Sequence, residues 1–247
     1  MNSRKDQLAA LDRLLTIMDE LREQCPWDKK QTFESLRHLT IEETYELGDA
    51  IIEGNLEEIK NELGDLLLHI AFYAKLGSEE KAFDMADIAN SIAEKLIHRH
   101  PHIYGDVKVE NEEDVKKNWE ALKLKEGKRS VLEGVPKGLP TLVKAQRIQD
   151  KVAGVGFDWE KPEQVFAKVQ EELAELNTEV EKGNTAKIEA EFGDVLFSMI
   201  NYARFLKINP DTALERTNQK FSKRFTYLET KAKALGKSLH DMTLAEM

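Results

Sequence analysis

The chain has 247 residues and one cysteine, Cys25, so no disulfide can form within it and a reducing cytoplasm is the expected setting. Proline (6) and glycine (13) are scarce, which leaves few obligatory breaks and favours long helices. No stretch approaches the roughly 18 apolar residues that a membrane span needs. The opening MNSRKDQLAA runs into an amphipathic pattern with no apolar signal region. Positive charge is short as well. A formal net charge of -10 argues against the basic face that a sequence-independent grip on nucleic acid requires. No Gly-x-x-x-x-Gly-Lys-Ser/Thr loop occurs, which removes a P-loop, and no convincing strand alternation is found.

Helical periodicity fills the chain instead, and the expected class is all-α. Helices are predicted over 4–23, 33–53, 56–76, 84–99, 111–126, 141–153, 161–182, 185–206 and 210–235. Pro26 ends the first helix, Gly54-Asn55 and Gly183-Asn184 supply turns tolerant of left-handed backbone, and Asn209-Pro210 starts the last long helix. The stretch 127–140, GKRSVLEGVPKGLP, holds three glycines and two prolines and reads as a linker between domains at 1–126 and 141–247.

The halves repeat. IEETYELGDAIIEGN from Ile41 matches QEELAELNTEVEKGN from Gln170, and NELGDLLLHIAFYAKL from Asn61 matches AEFGDVLFSMINYARFL from Ala190, both at an offset of 129. Pro-Trp-Asp at 26–28 has a counterpart in Gly-Phe-Asp at 156–158, displaced by one more residue. This period is too long for a solenoid and indicates two tandem related domains.

Within each repeat four acids are mirrored about a turn. Glu172 and Glu175 share one helical face, as do Glu191 and Asp194, and both cross-pairs are centred on Gly183. Glu43, Glu46, Glu62 and Asp65 obey the same rule about Gly54. An antiparallel hairpin therefore sets Glu172 level with Asp194 and Glu175 level with Glu191, since each lies equally far from the turn. The second helix of each hairpin is strongly apolar and expected to be largely buried. Four carboxylates in such surroundings cannot all stay ionised without a cation, and an all-oxygen set favours Mg²⁺ or Mn²⁺ over zinc. No Glu-x-x-His pair is present to complete a di-iron site. Glu42 and Glu171 are turned about 100° from their neighbours, so each either orients an attacking water or faces solvent.

Glu-Glu-x-x-Glu followed by Glu-x-x-Asp on an α-hairpin resembles the signature of the all-α nucleoside triphosphate pyrophosphohydrolases, in their tandem MazG-type arrangement. The likeness extends to CPWDKKQTFESLRHLTIEETYEL, RHPHIYGD, PTLVKAQRIQDKVAGVGFDW and NQKFSKRF. It implies Mg²⁺-dependent hydrolysis of nucleoside triphosphates at the α-β bond, giving a monophosphate and pyrophosphate. It also implies a homodimer whose helices pack as four-helix bundles.

Basic groups must help neutralise the phosphates. Lys168 lies one helical turn before Glu172, and Lys220 and Arg224 share a face of the last long helix with Lys223 nearby. The resemblance favours Lys220 and Arg224. Asn218 is a candidate for the base or sugar, with a capping role equally open. Glu171 and Lys168 are the catalytic candidates. The first copy carries Leu39 where the second has Lys168, so turnover is expected in the C-terminal copy, with the N-terminal one weak, regulatory or structural. The competing reading is a regulatory module that senses nucleotides or binds a partner protein. His98, His100 and His102 are expected to form a polar helix end rather than a metal site, Cys25 to be a small buried residue, and Trp27 and Trp159 to anchor loops in the core. The chain ends at LAEM, whereas relatives usually continue with a further helix carrying a Trp; if that extension helps close the nucleotide pocket, this chain binds without it or is incomplete.

Overall fold

A computed structural model describes residues 1–111, 114, 115, 118, 119, 122 and 130–247. Among the described residues there are helices, turns and no strand, as the all-α expectation requires. They divide into two compact units, Met1–Lys108 and Val109–Met247, a division earlier in the chain than residue 126. Residues 130–140, within the expected linker, lean on the second unit. Lys151 Nζ donates to Val131 O at 3.1 Å and Lys144 Nζ to Lys137 O at 2.6 Å. Most of the helix expected over 111–126 lies outside the described residues.

In the N-terminal unit, α1 (Arg4–Gln24) starts at a capping box between Ser3 and Asp6 and ends at half-buried Cys25, just before Pro26. A 3₁₀ turn, Asp28–Lys30, leads to α2 (Phe33–Glu53), capped by Thr32. Gly54 then takes the left-handed conformation at φ 70° and Asn55 caps α3 (Leu56–Glu79), which makes the tight hairpin. α3 runs past the predicted end at residue 76. Gly77 is not a stop but a close approach, since a Cβ there would lie 2.5 Å from the Phe83 ring. α4 (Met85–Arg99) and the short α5 (Pro101–Tyr104) complete the unit.

The core of this unit is Met18, Leu36, Phe72 and Leu76, with Phe33, Leu39, Leu68 and Tyr73 packed around it. Buried His69 is satisfied by Thr40, whose hydroxyl lies 2.9 Å from His69 Nδ1 and 2.8 Å from Tyr73 Oη. Burial pushes the His69 pKa down, against the opposing charge of Asp65.

The C-terminal unit repeats the hairpin. α6 (Thr141–Ala153) precedes α7 (Pro162–Lys182). Gly183 at φ 70° and Asn184 turn the chain into α8 (Thr185–Phe205). Asn209 caps α9 (Pro210–Ala234), which packs on α6 and α8, and a 3₁₀ turn follows at Leu239–Asp241. The burial expected of the second hairpin helix holds on one face only. Val195, Ser198 and Ile200 of α8 are buried, while Phe192, Leu196 and Met199 stay about half exposed.

Candidate active site

The matched registers bring the acids together. In the N-terminal hairpin, Glu43, Glu46 and Glu62 each place an oxygen within 4.8 Å of the others. In the C-terminal hairpin Glu172, Glu175 and Glu191 do the same. Asp65 and Asp194 stand outside these triplets. Asp65 still acts electrostatically on Glu43 and Glu62, and Asp194 lines a cavity beside Glu172.

Electrostatics bear the strain of this arrangement. Burial, then the charges of Asp65, Glu46 and Glu42, raise the Glu43 pKa, and a hydrogen bond with Glu62 partly offsets them. Glu62 is raised by burial and by Glu46, Asp65, Glu43 and Glu58, and its Oε2 is buried without a hydrogen-bond partner. Glu175 is raised by burial, Glu172 and Glu191, against the pull of Lys168. Clustered hard oxygens, one of them orphaned, are a donor set that could hold a divalent cation.

Lys168 sits where the helical spacing placed it. Its Nζ lies 2.7 Å from Glu171 Oε1 and 2.9 Å from Glu172 Oε1, and these bonds raise its pKa so that it stays charged. Glu171 is exposed and Glu172 is buried. Asn218, Lys220, Lys223 and Arg224 are exposed on α9. None of them lines the cavity beside Glu172. Asn218 Nδ2 donates to Glu215 at 3.1 Å, and Lys223 and Arg224 border a separate surface groove with Tyr227 and Lys231.

That cavity is what sequence reasoning missed. It has a volume of about 570 Å³ and mostly apolar walls, including Ile148, Val152, Val165 and Phe197, with Glu172, Asp194 and Lys168 at one side. The Gly156–Trp159 loop borders it. Arg204 Nη1 donates to Asp158 Oδ2 at 2.8 Å and holds this loop to α8. Trp27 and Trp159 are not core anchors, being 55% and 45% exposed, and Trp159 lines the cavity instead. The repeated Asp at 28 and 158 was the available signal for this loop. In HRHPH, His100 Nδ1 bonds to Leu96 O at 2.6 Å, at the end of α4.

Fold and site together define an all-helical protein that carries an oxygen-rich acidic hairpin in each half. The chain belongs to the MazG nucleotide pyrophosphohydrolase domain family, whose pattern matches residues 31–104 and again 160–228. It is 42% identical over 246 residues to the nucleoside triphosphate pyrophosphohydrolase of Escherichia coli K12, covering 96% of this chain and 94% of that one. It is 41% identical over 241 residues to the nucleoside triphosphate pyrophosphohydrolase/pyrophosphatase MazG of Thermotoga maritima, covering 96% and 92%. It is 47% identical over 238 residues to the uncharacterized protein YabN of Bacillus subtilis, covering 94% of this chain and 49% of that one.

Proposed function

We propose that this chain is a nucleoside triphosphate pyrophosphohydrolase, splitting the α-β bond to give a nucleoside monophosphate and pyrophosphate, broad in base and dependent on Mg²⁺, with Mn²⁺ as a substitute. The observation that carries the reading is that buried Glu172, a member of the acid triplet, also lines the apolar cavity together with Lys168 and Asp194. Such a cavity is of the size and polarity of a small-molecule site. The phosphates belong at its acidic, cation-loading side and the base in its apolar depth.

Glu172, Glu175, Glu191 and Asp194 would hold the cation. When bound, it would neutralise phosphate charge and lower the pKa of a water. Lys168, held charged by two carboxylates, faces the same side and supplies positive charge to the phosphates. Glu171 is the proposed acceptor of the water proton. Asn218, Lys220, Lys223 and Arg224 are proposed to close on the nucleotide from α9. None of these three cations makes an ion pair among the described residues, which leaves them free for phosphate.

Turnover is assigned to the C-terminal copy. Incubation with each nucleoside triphosphate and Mg²⁺ should release pyrophosphate and the monophosphate, followed by phosphorus NMR. Free phosphate as the product would overturn the assignment. The reading also includes a reducing cytoplasm, supported by the single cysteine, and a homodimer. Exposed Phe192, Leu196 and Met199 on α8 are the surface a second hairpin would cover to build a four-helix bundle. Among the described residues no helix is long and apolar enough to cross a membrane.

A further inference from the structure

We propose that Gln149 reads the hydrogen-bonding edge of the nucleobase, its Oε1 accepting from an amino or ring N–H while Asn201 Nδ2 donates to the acceptor beside it. This inference rests on the nucleotide reading above and adds a specificity residue to it.

Gln149 lies on α6, is 4% exposed and lines the cavity. Its Nε2 donates to Phe197 O at 2.8 Å. A carbonyl only accepts, so the amide cannot be turned round: nitrogen faces Phe197 and Oε1 is left over. That Oε1 is buried and has no hydrogen-bond partner. An acceptor stripped of water and left unpaired is costly, and buried polar atoms are normally paired. A donor brought into the cavity by a ligand supplies the missing bond.

Asn201, on α8, is oriented in the same manner. Its Oδ1 accepts from Arg204 Nε at 3.1 Å and Nη2 at 2.9 Å. A guanidinium only donates, so Asn201 Nδ2 must point away from it, and no partner for Nδ2 is found among the described residues. Arg204 is itself pinned by Asp158. Gln149 and Asn201 both line the cavity, and their hydrogen bonds fix which amide atom of each is left over, an acceptor on one and a donor on the other. Adenine, guanine, cytosine and uracil all carry an N–H next to an acceptor on their pairing edge. A glutamine and an asparagine with these roles accept each of them, yet reject a base with no edge N–H.

The test compares ligands that differ only in that N–H: adenosine against purine riboside nucleotides, and cytidine against 2-pyrimidinone riboside nucleotides. Dissociation constants are measured by calorimetry with the monophosphates, and pyrophosphate release with the triphosphates and Mg²⁺. The wild-type protein should favour the N–H-bearing member of at least one pair by about tenfold or more. Gln149→Met should bring that ratio to within about threefold of unity. A ratio compares two ligands on one preparation, so a reduced folded fraction cancels, and Gln149→Leu serves if the methionine variant does not fold. Wild-type ratios near unity in both pairs, with pyrophosphate still released, would overturn the role of Gln149 alone. So would a ratio unchanged by the substitution. Discrimination in binding without pyrophosphate release would support Gln149 and sink the hydrolytic reading instead.

Discussion

At Phe72 the N-terminal copy places a ring where the C-terminal copy, 129 residues on, has Asn201; Leu36 stands against Val165, and His69 against Ser198. Each change exchanges a larger side chain for a smaller one, on the same helices and beside the same acids. Phe72 and Leu36 are 2% and 1% exposed and help close a core. Val165, Ser198 and Asn201 line a cavity instead. Leu39 joins the first core, whereas Lys168 at the matching place binds Glu171 and Glu172. An acidic hairpin is therefore common to both copies, and among the described residues the adjoining cavity with a lysine paired to the acids is found in one. The carboxylate cluster thus recurs in both halves, while the cavity beside it belongs to the second.

The largest effect should come from the acids themselves. Glu175→Ala should lower pyrophosphate release about a hundred- to a thousandfold, while Glu46→Ala leaves it within about twofold. Equal losses in kinetic assays would remove the asymmetry. Next comes the filled core. Phe72→Ala should destabilise the N-terminal unit by about 3–5 kcal/mol, read as a shift in urea midpoint, because the ring is fully enclosed. Lys168→Leu, which copies Leu39, should cost roughly ten- to a hundredfold in kcat. Asn201→Phe, which copies Phe72, should raise KM by about tenfold with little change in melting temperature, because it fills space that the nucleotide needs. An unchanged KM would place the base elsewhere.

The smallest effect concerns pH. Without divalent cations Glu43 binds its proton more tightly folded than unfolded, chiefly through burial and the charge of Asp65. The folded state then holds more protons than the unfolded chain as pH rises above the ordinary carboxylate value near 4.5, and stability falls over that window. Glu43→Gln should therefore raise the cation-free melting temperature at neutral pH by about 2 °C and lose that advantage once the pH falls below 4.5. Added Mg²⁺ should reverse the order, because the wild-type protein keeps the ligand. Differential scanning calorimetry at two pH values checks both signs.

The acid clusters were legible because a helical hairpin converts sequence distance from a turn into height, so Glu175 and Glu191 had to meet once Gly183 reversed the chain. Lys168 followed from the same periodicity. The extension of α3 through Gly77 was not legible, because it depends on Phe83 folding back over that glycine. Trp159 was misjudged for a related reason: an aromatic near a turn can seal a core or border a cavity, and the chain alone does not distinguish them.

Local rules of spacing, capping and turn chemistry thus determined the helices, their duplication and the level at which the carboxylates face each other. The open space beside Glu172 was decided only in three dimensions. It is the sum of small volume differences on α7 and α8, held by the Arg204–Asp158 bond, and such differences acquire meaning only when side chains distant in the chain are packed against one another.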